Sequence, residues 1–335
     1  MGRSLRNCPV SLLGRASAWM ALMVWLPAVA ASPAVAAPLL FGQTLTHYAA
    51  ATNPTELVFD SAGYLYTGHN ANTGNFLQRV APGGGPAASW GSRQVTDPDG
   101  LALLGSYVYA SGEDEVVQVD RETGTVTQWA AVGGRNTTTI TVDRSGDYGL
   151  SGDVFIGNAR HTRDIEWIDA ATRTPNTVVS STDLYVVRGL TFAAGALYCV
   201  EASATRGIWH VASDGMLTRL ADGGFNWSDP SDMAYHPDED TFYVSEGNLG
   251  QIWRVPRTGG EPVKVGEGFG GIRGLTFGPD GRLYVSDEGN DVIWKGLPEP
   301  TSLALLAAGG IALLRRRRSP PASSGPRACQ SSRGR

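Results

Sequence analysis

The sequence predicts an all-β fold, a six-bladed β-propeller, from three observations. A strand–turn–strand pattern recurs along the body of the chain, and its clearest copies begin at Arg188 and Arg273. The first core positions of successive copies are 44, 39, 50, 43 and 42 residues apart. Helical periodicity is sustained only in the two terminal segments. Repeats of 40 to 50 residues with several short strands are typical of propeller blades. These six core positions are Leu57, Leu101, Ile140, Leu190, Met233 and Leu275.

Each copy supplies recognisable strands. The copy at Arg188 contains Gly-Leu-Thr-Phe, a short turn and Leu-Tyr-Cys-Val, and the copy at Arg273 has the same order around Gly-Pro-Asp-Gly. Proline fixes φ in that turn and glycine tolerates a positive φ. A third strand follows around Trp209, Trp253 and Trp294. Three strands of each blade are therefore predicted directly from the repeats.

The last copy lacks a fourth strand, because its third strand is expected to end at Lys295, just before a proline-rich segment. The alternating segment Gln43–Ala49 precedes the first copy and has no partner of its own. Pairing of this N-terminal strand with the last blade would cover an open sheet edge. The sequence therefore predicts that the N-terminal strand closes the ring.

The Gly-Leu-Thr-Phe, Pro-Asp-Gly and Leu-Tyr-Val-Ser-Asp elements resemble those of NHL-type and gluconolactonase/regucalcin-like propellers. The resemblance covers most of Asn53–Leu297. It implies the fold, whereas function has to be argued from the site because this fold hosts enzymes, receptors and scaffolds.

The N-terminal segment 1–36 has the features of a secretory signal peptide. Arg3, Arg6 and Arg15 precede an apolar run from Ala16 to Ala31, and Ala34-Val35-Ala36 offers a small-x-small cleavage site. The expected exported body begins at residue 37.

The C-terminal segment 298–318 combines three signals. Pro298-Glu299-Pro300 is followed by Thr301-Ser302, by the apolar run Leu303–Leu314 and by Arg315, Arg316, Arg317 and Arg318. Twelve helical residues reach only about 18 Å against roughly 30 Å of hydrocarbon, so the run is short for a permanent anchor. Residues 319–335 form a polar tail that is expected to be disordered. The segment is therefore interpreted as a transient, processed sorting signal, with a plain membrane anchor as the alternative.

This order resembles the PEP-CTERM sorting signal of Gram-negative bacteria that produce exopolysaccharide. The resemblance implies recognition by an exosortase-type membrane transpeptidase, transient anchoring in the inner membrane, and cleavage near the Pro-Glu-Pro box. It also implies delivery to the cell surface or extracellular matrix, where exopolysaccharide or a matrix protein is the expected partner.

Charge and cysteine content narrow the function classes. The body 37–297 holds 17 basic and 31 acidic residues, a formal charge near −14. A surface this negative repels phosphates and argues against nucleic-acid binding. Cys199 is the single cysteine of the body, so no internal disulfide is expected, and its apolar strand predicts a buried, inert thiol.

The candidate site is the channel mouth, where residues just before each core position converge on the propeller axis. The candidates for ligand binding are Glu56, Asp99, Arg188, Asp232 and Arg273. The two arginines can donate paired hydrogen bonds to a carboxylate or sugar-acid group of a ligand, and the three acids can accept hydrogen bonds from its hydroxyl groups. The alternative is that these charges pair with one another.

The lactonase resemblance implies a divalent metal held by acidic and asparagine residues at this mouth. The acids suit Ca²⁺ or another divalent ion, but the arginines and the missing asparagines argue against it, so no metal ligand is assigned. Asp143, Asp147 and Asp153 are interpreted as turn acids, with a Ca²⁺ loop as the alternative. Two functions remain open, namely a binding module of the cell surface and a secreted, metal-dependent lactonase-like hydrolase. No catalytic residue is identified.

Overall fold

A computed structural model describes residues 38–69, 76–133, 137–146, 148, 152–158, 164–203, 205–222 and 227–298. The predicted signal peptide, the residues beyond Pro298 and Asp147 lie outside this part of the chain. The described residues form an all-β, propeller-like fold, in which the helical element is a three-residue 3-10 helix, Glu288–Asn290. Within them, no helix is long and apolar enough to span a membrane.

The described residues begin with two strands that belong to the last sheet. These are β1 (Leu39–Leu40) and β2 (Gln43–Ala50). Four separate four-stranded antiparallel sheets follow, one for each of the first four repeats. Their strands are β3 (Pro54–Phe59), β4 (Leu65–His69), β5 (Leu77–Val80) and β6 (Ala88–Trp90); β7 (Leu101–Leu104), β8 (Tyr107–Ser111), β9 (Glu115–Asp120) and β10 (Val126–Ala131); β11 (Thr137–Val142), β12 (Val154–Asn158), β13 (Asp164–Ile168) and β14 (Pro175–Ser180); β15 (Val187–Ala193), β16 (Ala196–Glu201), β17 (Gly207–Val211) and β18 (Leu217–Asp222).

The last two repeats share one nine-stranded sheet with the order β19-β20-β21-β22-β1-β2-β25-β24-β23. The remaining strands are β19 (Pro230–His236), β20 (Thr241–Glu246), β21 (Gln251–Pro256), β22 (Val263–Glu267), β23 (Ile272–Phe277), β24 (Leu283–Asp287) and β25 (Val292–Pro298). The structure thus has four separate four-stranded sheets, not the six predicted. The physical reason is β1, which pairs with β22 on one side and with β2 on the other.

The N-terminal strand occupies the predicted place in the last sheet. Strand β2 runs antiparallel to β25, with Leu45 opposite Gly296 and Ala50 opposite Val292. Strand β25 continues to Pro298, three residues beyond the expected end at Lys295. The pairing of the two ends of the described chain joins the first repeat to the last.

Apolar clusters between neighbouring sheets form the core. The six predicted core positions are all buried, with exposed fractions from 1% at Ile140 to 4% at Leu190. One cluster combines Ala49 and Ile293 of the closing strands with Leu57, Leu65 and Val80 of the first sheet. Contacts between innermost strands run from β3 through β7, β11, β15 and β19 to β23, and β23 contacts β3 again. The innermost strands therefore surround a central axis.

Candidate functional site

A ring of polar residues surrounds the axis at the N-terminal ends of the innermost strands. We call these residues the polar belt. They line a cavity of about 20 Å³, room for one water molecule or one ligand oxygen. The belt consists of Thr55, Glu56, Asp99, Thr138, Arg188, Ser231, Asp232 and Arg273. All five predicted site residues are among them.

Sequence reasoning missed Thr55 and Ser231 of the belt. Both stand two residues before a core position, as Asp99, Arg188 and Arg273 do. Their regular spacing from Leu57 and Met233 is the signal that identifies them. Their hydroxyl groups bond to the backbone, since Thr55 Oγ1 donates to the carbonyl oxygen of Pro98 at 2.8 Å and Ser231 Oγ donates to that of Asp229 at 3.0 Å.

Side chains one residue before the core positions connect neighbouring repeats. Glu56 Oε2 accepts a hydrogen bond from the backbone N–H of Leu101 at 2.9 Å. Asp232 Oδ2 accepts one from Leu275 at 2.8 Å. In a third repeat, the N–H of Leu190 donates to Thr139 Oγ1 at 3.2 Å. Each of these side chains accepts a hydrogen bond from a backbone N–H group at the open edge of the next innermost strand. The two acids therefore have a structural role.

The repeats between them have glycine at the same position. A Cβ atom on Gly274 would lie 2.6 Å from the Cα of Glu56. One on Gly189 would lie 2.7 Å from the nitrogen of Met233, and one on Gly100 would lie 2.8 Å from the nitrogen of Ile140. Real Cβ atoms do not approach other atoms this closely. Bridging side chains and close glycine contacts therefore alternate around the axis.

The environment of the acids changes their protonation. Burial, the nearby Asp232 and Asp99 raise the pKa of Glu56 well above its usual value, although the hydrogen bond from Leu101 acts in the opposite direction. Asp232 is only 4% exposed, and burial raises its pKa to about 7 against the lowering effect of the Leu275 and Met233 amides. Glu56 keeps some surface towards the axial space, but the surrounding protein still disfavours its charge.

Both arginines of the belt pair with acids outside it. Arg273 Nε lies 2.5 Å from Glu288 Oε2, and this hydrogen bond raises the pKa of Arg273 although burial would lower it. Arg188 Nη2 lies 3.9 Å from Asp229 Oδ1, at the limit of an ion pair. The Nε of Arg188 is buried and has no hydrogen-bond partner within the described part of the chain. Arg188 is therefore the less satisfied of the two cations.

A groove of about 500 Å³ lies beside the belt on the same face. Arg273 belongs to both, so the groove and the belt cavity are adjacent. Asp229, Asn248 and Glu288 contribute polar side chains to its wall, and glycines make up much of the rest. The groove has the size of a small-molecule site.

Three buried acids hold the loops on this face. Each is the last residue of the second strand of its repeat, and each is fully buried: Glu201, Glu246 and Asp287. Glu246 Oε1 accepts the N–H of Ser228 at 3.0 Å, and Asp287 Oδ1 accepts that of Gly270 at 3.0 Å. The shared position in Tyr-Cys-Val-Glu, Tyr-Val-Ser-Glu and Tyr-Val-Ser-Asp could have identified these acids from the sequence.

Glu201 accepts several backbone amides. The N–H groups of Val186, Ser203, Thr205 and Arg206 donate to its carboxylate at 2.8 to 3.1 Å. Burial alone would raise the pKa of Glu201, but these hydrogen bonds outweigh it and lower that pKa. Glu201 therefore holds residues of the connection from β16 to β17 and also the residue that precedes β15.

The other sequence candidates have structural roles. Asp143 is fully buried and accepts the N–H of Gly146 at 2.7 Å and of Tyr148 at 3.0 Å, as a turn acid does. Asp153 is also buried and accepts the N–H of Ala170 at 2.9 Å. Cys199 is fully buried, and burial raises the pKa of its thiol. In the described residues, no group of three or more histidine, cysteine, aspartate or glutamate side chains is arranged to hold a metal ion.

Comparison with known proteins gives similarity at the level of the fold. No model of a known protein family matches the chain, and no curated protein matches it. Among solved structures, an iodide structure of a Trichoderma reesei protein of carbohydrate-active enzyme family AA12 is similar, with a TM-score of 0.61 and 15% identity. The match covers 78% of this chain and 98% of the fungal chain. A calcium structure of the same family from that fungus gives a TM-score of 0.61 and 15% identity, over 79% of this chain and 98% of the other.

Proposed function

We propose that this protein is an exported β-propeller that binds a carboxylate-bearing ligand, of the sugar-acid class, at the polar belt and its adjoining groove. The observation that carries the proposal is the incomplete hydrogen bonding of Arg188. Its buried Nε faces no acceptor among the described residues, and its ion pair with Asp229 is long at 3.9 Å. A buried donor without a partner costs about 1–3 kcal/mol, and a ligand oxygen in the belt cavity would remove that cost.

Arg273 has a different part in this proposal. Glu288 holds its guanidinium group at the junction of the belt cavity and the groove. Because Arg273 also lines the groove, its remaining N–H groups would bind the ligand body there. The groove volume of about 500 Å³ suits a sugar acid. The description of the fungal neighbours as carbohydrate-active guides the choice of probes.

The experiment that tests this function is calorimetric titration of the purified protein with a panel of sugar acids and the matching neutral sugars. The proposal predicts saturable binding of a sugar acid and at least tenfold weaker binding of its neutral counterpart. Equal binding of both, or binding of neither across the panel, would contradict it.

The finer architecture belongs to the same proposal. We interpret the nine-stranded sheet as two further blades that β1 links, so that the chain forms a six-bladed propeller of the NHL or gluconolactonase/regucalcin-like type. The six innermost strands that contact one another in a closed series support this interpretation.

Sorting through the C-terminal segment is proposed from the sequence pattern alone. An exosortase would cleave the chain near Pro298-Glu299-Pro300 and release the propeller to the cell surface or matrix. Leu297 and Pro298 pair with Thr44 and Gln43, so cleavage before Leu297 would shorten the closing strand. Mass spectrometry of the mature protein should place its C-terminus between Pro298 and Leu303. Mature protein that retains Arg315–Arg318 would support a plain anchor instead.

A lactonase-like hydrolase is the second candidate, and the raised pKa values of Glu56 and Asp232 favour it. A raised pKa is the property that a carboxyl group needs in order to act as a general acid. Both carboxylates, however, already accept backbone hydrogen bonds from the next innermost strand. A lactone panel with added Ca²⁺ distinguishes the two functions, since turnover that is lost in Glu56→Gln would establish the hydrolase.

A further inference from the structure

A second cavity lies on the axis beyond the polar belt, towards the C-terminal ends of the innermost strands. We call it the axial pocket. Its volume is about 410 Å³, within the range of small-molecule sites. Residues from all six innermost strands line it, and the turns after two of them, at Ser145 and Gly195, form part of its rim. Glu56 lines both this pocket and the belt cavity, and it is therefore the floor of the axial pocket.

The walls of the axial pocket offer unpaired backbone groups. Each innermost strand is the terminal strand of its sheet or array, as β7 and β15 illustrate. One edge of each such strand therefore carries N–H and C=O groups without a neighbouring strand. Buried backbone groups of this kind require water or a ligand as partner. The pocket can consequently accept and donate several hydrogen bonds.

Three threonine hydroxyl groups add to this lining. Thr141, Thr191 and Thr276 each follow a core position directly and line the pocket. All three are half-buried. No side-chain hydrogen bond of theirs is present within the described part of the chain. Because a hydroxyl group both donates and accepts, three of them around one cavity suit a ligand that itself carries hydroxyl groups.

The charge at the floor favours a cation. Glu56 is the acid in the lining of the pocket, with Asp99 and Asp232 nearby in the belt, while the two belt arginines pair with Asp229 and Glu288. Arg144 is the cation in the lining; it follows β11 at the rim, and its Nη2 donates to the carbonyl oxygen of Leu103 at 2.9 Å. The same burial and neighbouring acids that raise the pKa of Glu56 disfavour an uncompensated negative charge there. An ammonium group at the floor would compensate that charge and form a charge-assisted hydrogen bond.

We propose that the axial pocket binds a small polyhydroxylated ammonium compound, of the amino-sugar class. Its ammonium group contacts the Glu56 carboxylate at the floor. Its hydroxyl groups bond to the threonine hydroxyls and to the open strand edges along the walls. This site is distinct from the sugar-acid site, because it opens at the other ends of the innermost strands and selects the opposite charge.

The test is calorimetric titration of the purified protein with D-glucosamine at pH 6.5. D-glucose and n-butylammonium are the matched probes, the first without the ammonium group and the second without the hydroxyl groups. The proposal predicts that both bind at least tenfold more weakly than D-glucosamine. Binding of D-glucose as tight as that of D-glucosamine would overturn the charge argument, and equally tight binding of n-butylammonium would overturn the hydroxyl argument.

Variants locate the site. Glu56→Gln keeps an oxygen acceptor for Leu101 and should weaken D-glucosamine binding at least tenfold, whereas Arg254→Met, at an exposed position outside both cavities, should leave it unchanged. Thr276→Val, which keeps the shape of the wall, should weaken binding about threefold and decides the case if the Glu56 variant does not fold. Loss of binding in Arg254→Met, or full binding in both Glu56→Gln and Thr276→Val, would overturn the proposal.

Discussion

The carboxylate of Asp232 accepts a hydrogen bond from the backbone N–H of Leu275, 43 residues further along the chain, at 2.8 Å. Its other oxygen accepts the N–H of Met233 at 2.6 Å. Asp232 thereby connects β19 to β23 at the polar belt. One side chain thus belongs to the candidate site and also stabilises the contact between two repeats.

The raised pKa of Asp232 predicts a pH dependence of stability. The unfolded value is about 3.9, and burial raises the folded value to about 7. The native state then binds the Asp232 proton more tightly than the unfolded state does. The resulting stabilisation of the native state is complete below about pH 4 and is lost as the pH rises to about 7. Between pH 5 and pH 7, the wild type should lose about 2–3 kcal/mol more of its free energy of unfolding than Asp232→Asn loses. Urea titrations at several pH values measure these free energies, and the same change with pH in the two proteins would refute the prediction.

The glycine at the contact between the last and first repeats predicts a steric effect. In Gly274→Ala, the new Cβ would lie 2.6 Å from the Cα of Glu56 and 2.7 Å from the carbonyl oxygen of Thr55. Since both are backbone atoms, we expect a destabilisation of about 1–3 kcal/mol. Gly271→Ala is the control, because its Cβ would meet its nearest atom at 3.5 Å. Thermal unfolding should separate the two variants, and equal melting temperatures would argue against close packing of the repeats.

The buried carboxylate of Glu201 predicts a loss of stability on neutralisation. Glu201→Gln keeps the shape but leaves several backbone N–H groups with a weaker acceptor, which should cost about 2–4 kcal/mol at pH 7. Because the folded pKa is lowered, the contribution of the carboxylate is present above the unfolded value of about 4.3 and disappears below it. The difference from wild type should therefore shrink at acidic pH. Glu122→Gln, at an exposed position, is the control, and a similar effect of both changes would contradict the role of Glu201.

Closure by the N-terminal strand predicts the effect of removing Tyr48. The rings of Tyr48 and Tyr284 lie edge to face at 4.9 Å, and Lys295 Nζ lies 5.9 Å from the centre of the Tyr48 ring. Tyr48→Ala removes these contacts between β2 and its neighbours, and we expect a loss of about 2–3 kcal/mol. Thr44→Ala changes an exposed residue on the same strand and should be nearly neutral. Denaturant unfolding of both variants checks this, and a neutral Tyr48→Ala would contradict the importance of closure.

The fold and the location of the site were predictable because local patterns carry them. The core positions from Leu57 to Leu275 recur with similar neighbours, and burial of each one confirms the pattern. The positions one or two residues before these core positions identified the candidates for the site. All five line one cavity in the structure: Glu56, Asp99, Arg188, Asp232 and Arg273. The pairing of β2 with β25 followed from a strand without a partner at each end of the body.

The partners of the site residues were not predictable, because they depend on how the repeats meet. Asp229 lies in a loop and Glu288 begins the short 3-10 helix after β24, and a sequence pattern does not fix how such connections bring these acids to the arginines. The amide of Leu101 reaches Glu56 only after two repeats have packed together. Strand β1 has two residues, too few for a periodic signal, although it merges two four-stranded arrays into one sheet.

The central claim is that Arg188 binds the ligand at the polar belt, and calorimetric titration with D-glucuronate tests it most directly. Arg254 is the matched control, since Arg254 Nη1 lies 3.9 Å from Glu239 Oε2, the same separation as between Arg188 and Asp229. The account predicts that Arg188→Met weakens D-glucuronate binding at least tenfold while Arg254→Met leaves it unchanged, with both variants folded by circular dichroism. Unchanged affinity in a folded Arg188→Met variant, or equal losses in both variants, would contradict the account.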